Sequence, residues 1–111
     1  MLRFKPEVRV AHWTAPLATI LELATWWSAL HGTDVQVNSI ADPAPNRLSG
    51  SLHPFDLAVD LEPFGNVTQD RASLAEWFRR QLDPQYDVVF ESSHVHVEWD
   101  ARRPPLREIA G

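Results

Sequence analysis

Side chains that alternate in polarity commit a segment to a strand with one wet and one dry face, and this chain carries that pattern repeatedly. In His94-Val-His-Val-Glu-Trp99, side chains two apart share a face. The valines and the tryptophan therefore fall on one side and His94, His96 and Glu98 on the other. Tyr86 to Glu91 has the same parity, with Tyr86, Val88 and Phe90 opposite Asp87, Val89 and Glu91. Leu57-Ala-Val-Asp-Leu61 divides Leu57, Val59 and Leu61 from Ala58, Asp60 and, one step on, Glu62. Asp34-Val-Gln-Val-Asn-Ser-Ile40 alternates as a further strand. Only Ser92-Ser93 separates the segment ending at Glu91 from the one beginning at His94. So short a link predicts an antiparallel hairpin, although serines are not its preferred turn pair.

Two stretches have helical rather than strand periodicity. Thr14 suits an N-cap, Pro16 the first turn and Gly32 a stop. Between them Leu17, Ile20, Leu21, Ala24, Trp27 and Leu30 recur on one stripe. Trp26 and Trp27 are adjacent, so one faces the core and the other solvent. A second helix is expected from about Gln69 to Leu82, with Leu74, Trp77, Phe78 and Gln81 or Leu82 on one side, closed by Asp83-Pro84. Ala41 to Gly50, with Pro43, Pro45, Asn46 and Gly50, has loop composition. The order α-β-β-α-β-β predicts a small α+β domain, an antiparallel sheet with helices packed on one face. At 111 residues the chain fits a single domain, 1–111, with a core of about 14–100, a surface tail from 101 to 111 and a monomeric state.

Composition narrows the function. Fifteen acidic residues against ten basic ones, a net charge of −5, oppose a nucleic-acid backbone binder, which needs a basic face. Leu17 to Leu30 is interrupted by Thr19, Glu22, Thr25 and Ser28 and is too short to span a bilayer, so no membrane insertion is expected. The start, Met1-Leu-Arg-Phe-Lys-Pro-Glu, lacks the layout of a signal peptide. The expectation is therefore a protein made in the cytoplasm, which meets any outside substrate by a separate route. Cysteine is absent, which removes disulfides, thiolate metal sites and a cysteine nucleophile. Any metal must be held by nitrogen and oxygen.

Of the five histidines, His12 has no spacing partner, and His31 stands at a helix C-terminus where a cation suits the dipole. The other three differ. His94 and His96 share a strand face with Glu98, a combination that plain solvated strands rarely need. Asp60 lies on the corresponding face of its own strand, next to small Ala58, which leaves room for something bound. His53 lies just outside that strand, within reach of the same face. A His, Asp and His set with an open fourth position suits catalytic zinc.

These segments also resemble a known family. Ser51-Leu-His-Pro-Phe-Asp-Leu-Ala-Val-Asp60 resembles the S-x-H-x-x-G-x-A-x-D signature of the zinc D-Ala-D-Ala carboxypeptidase and L-alanyl-D-glutamate endopeptidase family. Tyr86 to Glu98 resembles that family's second signature, an acidic residue shortly before H-x-H, which hedgehog signalling domains share along with the fold. The likeness is to short stand-alone phage and prophage members, with Val37-Asn-Ser-Ile-Ala-Asp42 as the lead-in. It covers roughly Val35 to Asp100.

The resemblance implies a zinc peptidase acting on peptidoglycan stem peptides, of the D-Ala-D-Ala carboxypeptidase or L-Ala-D-Glu endopeptidase type, in the manner of a phage endolysin. It implies His53, Asp60 and His96 as zinc ligands, with His94 supporting the developing oxyanion, Ser51 bonding substrate and Arg47 pairing with a substrate carboxylate. His94 is the alternative third ligand, through an E-x-x-H spacing from Glu91. Two positions depart from the family pattern. Asp56 stands where Gly is usual, in a turn that favours positive φ. Ser93 stands where many members carry the catalytic Asp, which leaves Glu91, of matching parity, as the general base. The alternative is a catalytically degenerate zinc-binding module with a structural or interaction role.

Overall fold

Thr14 and Gly32 bound the first helix as their chemistry dictates. Thr14 has extended backbone and its hydroxyl accepts the Leu17 N–H at 3.4 Å. Gly32 stops the helix in the left-handed region, at φ 65° and ψ 26°. The structure, a computed structural model, describes residues 1–10, 13–41 and 56–100. The helix so capped, α1 (Ala15–His31), follows a short strand, β1 (Leu2–Phe4). Then come β2 (Val35–Ala41), β3 (Asp56–Pro63), α2 (Thr68–Gln81), β4 (Tyr86–Phe90) and β5 (Val95–Asp100).

The sheet has five strands in the order β1-β2-β3-β5-β4. The expected antiparallel sheet is corrected at one edge, where β1 runs parallel to β2 with Leu2 opposite Val35 and Phe4 opposite Val37. Parallel neighbours need a crossover, and the segment containing α1 supplies it. Three residues are too few for periodicity to reveal a strand. The other pairings are antiparallel, and the sheet is therefore mixed.

Both helices contribute to one core on one face of the sheet. Leu17, Ile20 and Trp27 of α1 and Leu74 and Phe78 of α2 are fully buried with Val35, Val37, Val59, Val95 and Val97. Removing so much apolar surface from water, about 25 cal/mol per Å², is what holds the layers together. Two indole N–H groups tie the helices across the core: Trp27 donates to the Ser73 hydroxyl at 3.1 Å and Trp77 to the Leu23 carbonyl at 2.9 Å. Trp26 is exposed, as its neighbour's burial requires. Leu30 is 62% exposed and falls outside the buried stripe. His31 has a structural place: its Nδ1 donates to the Trp27 carbonyl at 3.0 Å and its ring stacks on that indole.

One irregularity shapes the opposite face. Val37 pairs with Leu61, yet Ser39 pairs with Asp60, so Asn38 is an extra residue in a β-bulge. Strict alternation would turn Ser39 inward. The bulge instead leaves Asn38 and Ser39 consecutive on the wet face and returns Ile40, opposite Val59, to the core side.

Candidate functional site

Register brings the polar faces of four strands side by side. Ser39 of β2 lies opposite Asp60 of β3, Asp60 opposite His96 of β5, and His96 opposite Val89 of β4. In the next row Ala41, Ala58, Glu98 and Asp87 follow in the same order. Asp60 and His96 are far apart in sequence and meet because β5 inserts between β3 and β4.

The polar side chains of these two rows form a bonded chain from Ser39 through Asp60 and His96 to Glu98. His96 Nδ1 lies 2.7 Å from Asp60 Oδ1, and His96 Nε2 lies 3.2 Å from Glu98 Oε1. Carboxylate oxygens accept only, so a ring with a carboxylate on each nitrogen carries both protons. Its pKa is accordingly pushed up to about 9, mainly by the bond to Asp60 and further by Glu98, against the opposing effect of burial. Asp60 moves the other way. Burial is the largest single influence and raises it, but the bonds from His96 and Ser39 and the nearby imidazoles together hold it below the ordinary carboxylate value. Ser39 Oγ donates to Asp60 Oδ2 at 3.0 Å. Glu62, one step along β3, accepts from Asn38 Nδ2 at 2.9 Å, and Asn38 Oδ1 in turn accepts from Gln36 at 2.8 Å.

His94 sits at the mouth of the β4–β5 hairpin. Its carbonyl accepts the Glu91 N–H at 2.9 Å, its Nδ1 lies 3.0 Å from Ser93 Oγ, and its Nε2 lies 3.6 Å from Asp60 Oδ1. Glu91 is exposed and directly across the hairpin from His94. Neither Ser92 nor Ser93 takes positive φ, so the link is not one of the mirror-image turns that two-residue hairpins favour.

Asp60, His94 and His96 are thus brought together, with Glu91 at the same end of the hairpin. The other candidates, His53, Ser51 and Arg47, lie outside the described residues, as do His12, the 42–50 segment and the 101–111 tail. Among the described residues no three His, Asp or Glu side chains converge as a set that could hold a metal ion. The Asp60 and His96 pair nonetheless suits zinc chemically. Tetrahedral zinc with bonds of about 2.0–2.1 Å separates adjacent donors by about 3.3 Å, so the 2.7 Å contact would have to widen by about 0.6 Å. Glu98 on the far nitrogen of His96 supplies the carboxylate that ligating imidazoles usually bond.

One expectation about the surroundings is corrected. Asp56 opens β3 opposite Asp100 in extended backbone, not in a positive-φ turn; among the described non-glycine residues only Asn66 has positive φ. Ser39 is the site residue that strand parity misplaced, and Asn38 beside it escaped notice as a site residue. The signal was present: a serine at an inward position followed by an isoleucine at an outward one is a broken alternation, which marks a bulge.

Among the described residues no helix is long and apolar enough to cross a membrane. No protein-family model, curated protein or solved structure matches the chain.

Proposed function

We propose that the chain is a zinc-dependent peptidase with a hedgehog-type fold, hydrolysing an amide bond in peptidoglycan stem peptides at a D-Ala-D-Ala terminus or an L-Ala-D-Glu link. The observation that carries the reading is the 2.7 Å contact of His96 with Asp60 across β3 and β5, backed by Glu98, in a chain whose segments resemble both signatures in order. His53, Asp60 and His96 would hold the metal. Bound zinc supplies Lewis acidity toward a carbonyl and acidifies water. Glu91, exposed at the hairpin mouth, accepts the proton of the attacking water and returns it to the leaving amine. His94 Nε2 donates toward the oxyanion that develops on the scissile carbonyl. Ser51 and Arg47 bind the peptide.

Elemental analysis should find one zinc per chain, and mass spectrometry of digested muropeptides should find new amines. Glu91→Gln should lower the rate roughly 100- to 10,000-fold. Stoichiometric zinc without cleavage of any muropeptide would sink the peptidase reading, and an unchanged Glu91→Gln rate would remove Glu91 from its role. A second reading, a catalytically degenerate zinc module, draws on Ser93. Its hydroxyl lies 3.0 Å from His94 Nδ1 at the position where the resembled family carries a carboxylate. Cleavage that arises only in Ser93→Asp would favour this second reading.

A further inference from the structure

A β-bulge leaves one residue unpaired and interrupts the ladder, so a bulge beside a functional face points to a side chain that must be re-aimed. In β2 the consequence follows from the register. Continued alternation from Val37 opposite Leu61 would set Ser39 against Val59 in the core and Ile40 against Ala58 on the wet face. The extra residue, Asn38, reverses both. Each polar residue of the bulge then meets a carboxylate of β3: Asn38 donates to Glu62 Oε1 at 2.9 Å, and Ser39 donates to Asp60 Oδ2 at 3.0 Å. Asp60 is held at two points, with Ser39 on Oδ2 and His96 on Oδ1. A carboxylate gripped by one oxygen cannot rotate freely, so the other oxygen keeps one direction.

We propose that the β2 bulge is a positioning device for the metal centre, in which Ser39 fixes Asp60 through Oδ2 so that Oδ1 faces the cation shared with His96. The inference rests on the zinc reading above and assigns Ser39 as a positioning residue, acting only through Asp60. Ser39 itself is exposed, so its truncation removes the bond without opening the core.

Zinc affinity of the full chain is measured by competition with a chromophoric chelator, the cobalt absorption spectrum is recorded, and circular dichroism monitors the fold. Ser39→Ala should fold normally, bind zinc about 10- to 100-fold more weakly and alter the cobalt bands, as loss of a carboxylate's supporting bond does. Ser39→Thr, which keeps the hydroxyl, should restore both affinity and spectrum. Wild-type affinity in Ser39→Ala would overturn the positioning role and leave the zinc reading standing. Equal weakening in Ser39→Ala and Ser39→Thr would also overturn it, because the hydroxyl would then not be the cause. A wild-type chain that takes up no zinc or cobalt would remove the zinc reading itself, and the role of Ser39 with it.

Discussion

Replacing Asp60 by Asn should sharply reduce a pH dependence of stability that the wild-type chain shows in metal-free solution. His96 is raised from an ordinary value of 6.5 to about 9, first by its bond to Asp60 and then by Glu98, while burial opposes both. A folded-state pKa above the unfolded one means that the folded chain holds the proton more tightly. The stabilisation is therefore complete below pH about 6.5 and disappears as the pH rises through about 9. The gap between 6.5 and about 9 corresponds nominally to about 3 kcal/mol, at 1.36 kcal/mol for each pH unit. The imidazole side chain is 26% exposed, and water and salt screen it, so a loss of about 1–3 kcal/mol is expected. The assay is urea unfolding followed by tryptophan fluorescence at pH 6 and pH 9.5, with a chelator present. Wild type should lose that amount between the two conditions, whereas Asp60→Asn should start weaker at pH 6 and change little. Equal wild-type stability at both values, or an undiminished decline in Asp60→Asn, would refute the assignment of His96 as the charged partner of Asp60.

The same imidazole must give up its proton to take a metal, so zinc affinity should rise about tenfold per pH unit between pH 6 and 8; a flat dependence in chelator competition would argue against His96 as a ligand. Gly32→Ala should cost about 1–2 kcal/mol in urea unfolding. A Cβ there meets nothing within 4 Å, so the penalty is that of φ 65° for an L-residue, and an unchanged midpoint would contradict the left-handed cap.

The helices and the strand faces were legible because local chemistry determines them. Thr14, Pro16 and Gly32 mark α1 without reference to the rest of the chain, and two-residue parity sorts Val95 and Val97 from His94 and His96. What escaped were features set by partners. β1 forms because Leu2 to Phe4 find the free edge of β2, and three residues carry no period of their own. Leu30 has the helical spacing of the buried stripe, yet it lies beyond the point where the core covers α1 and stays exposed.

The site divides along the same line. Parity could say that Asp60, His94, His96 and Glu98 share the wet face, but not that His96 stands opposite Asp60, because a register shift of one residue would send every side chain to the other face. Closure of the hairpin through the Glu91 N–H and the His94 carbonyl fixes β4 against β5, and the Leu61–Val95 pairing fixes β5 against β3. Given those two constraints, Asp60 on β3 and Glu98 on β5 both reach the ring of His96. Its two nitrogens then keep two protons between two carboxylates, and in the proposed zinc site one of those protons would have to give way to the metal. On that proposal the choice would depend on competition between a proton and a divalent cation, with Asp60 attracting both. That competition is why the raised pKa of His96 and the proposed zinc site at the same two residues are compatible: the 2.7 Å contact serves the proton when metal is absent, and a metal would have to displace that proton and widen the contact.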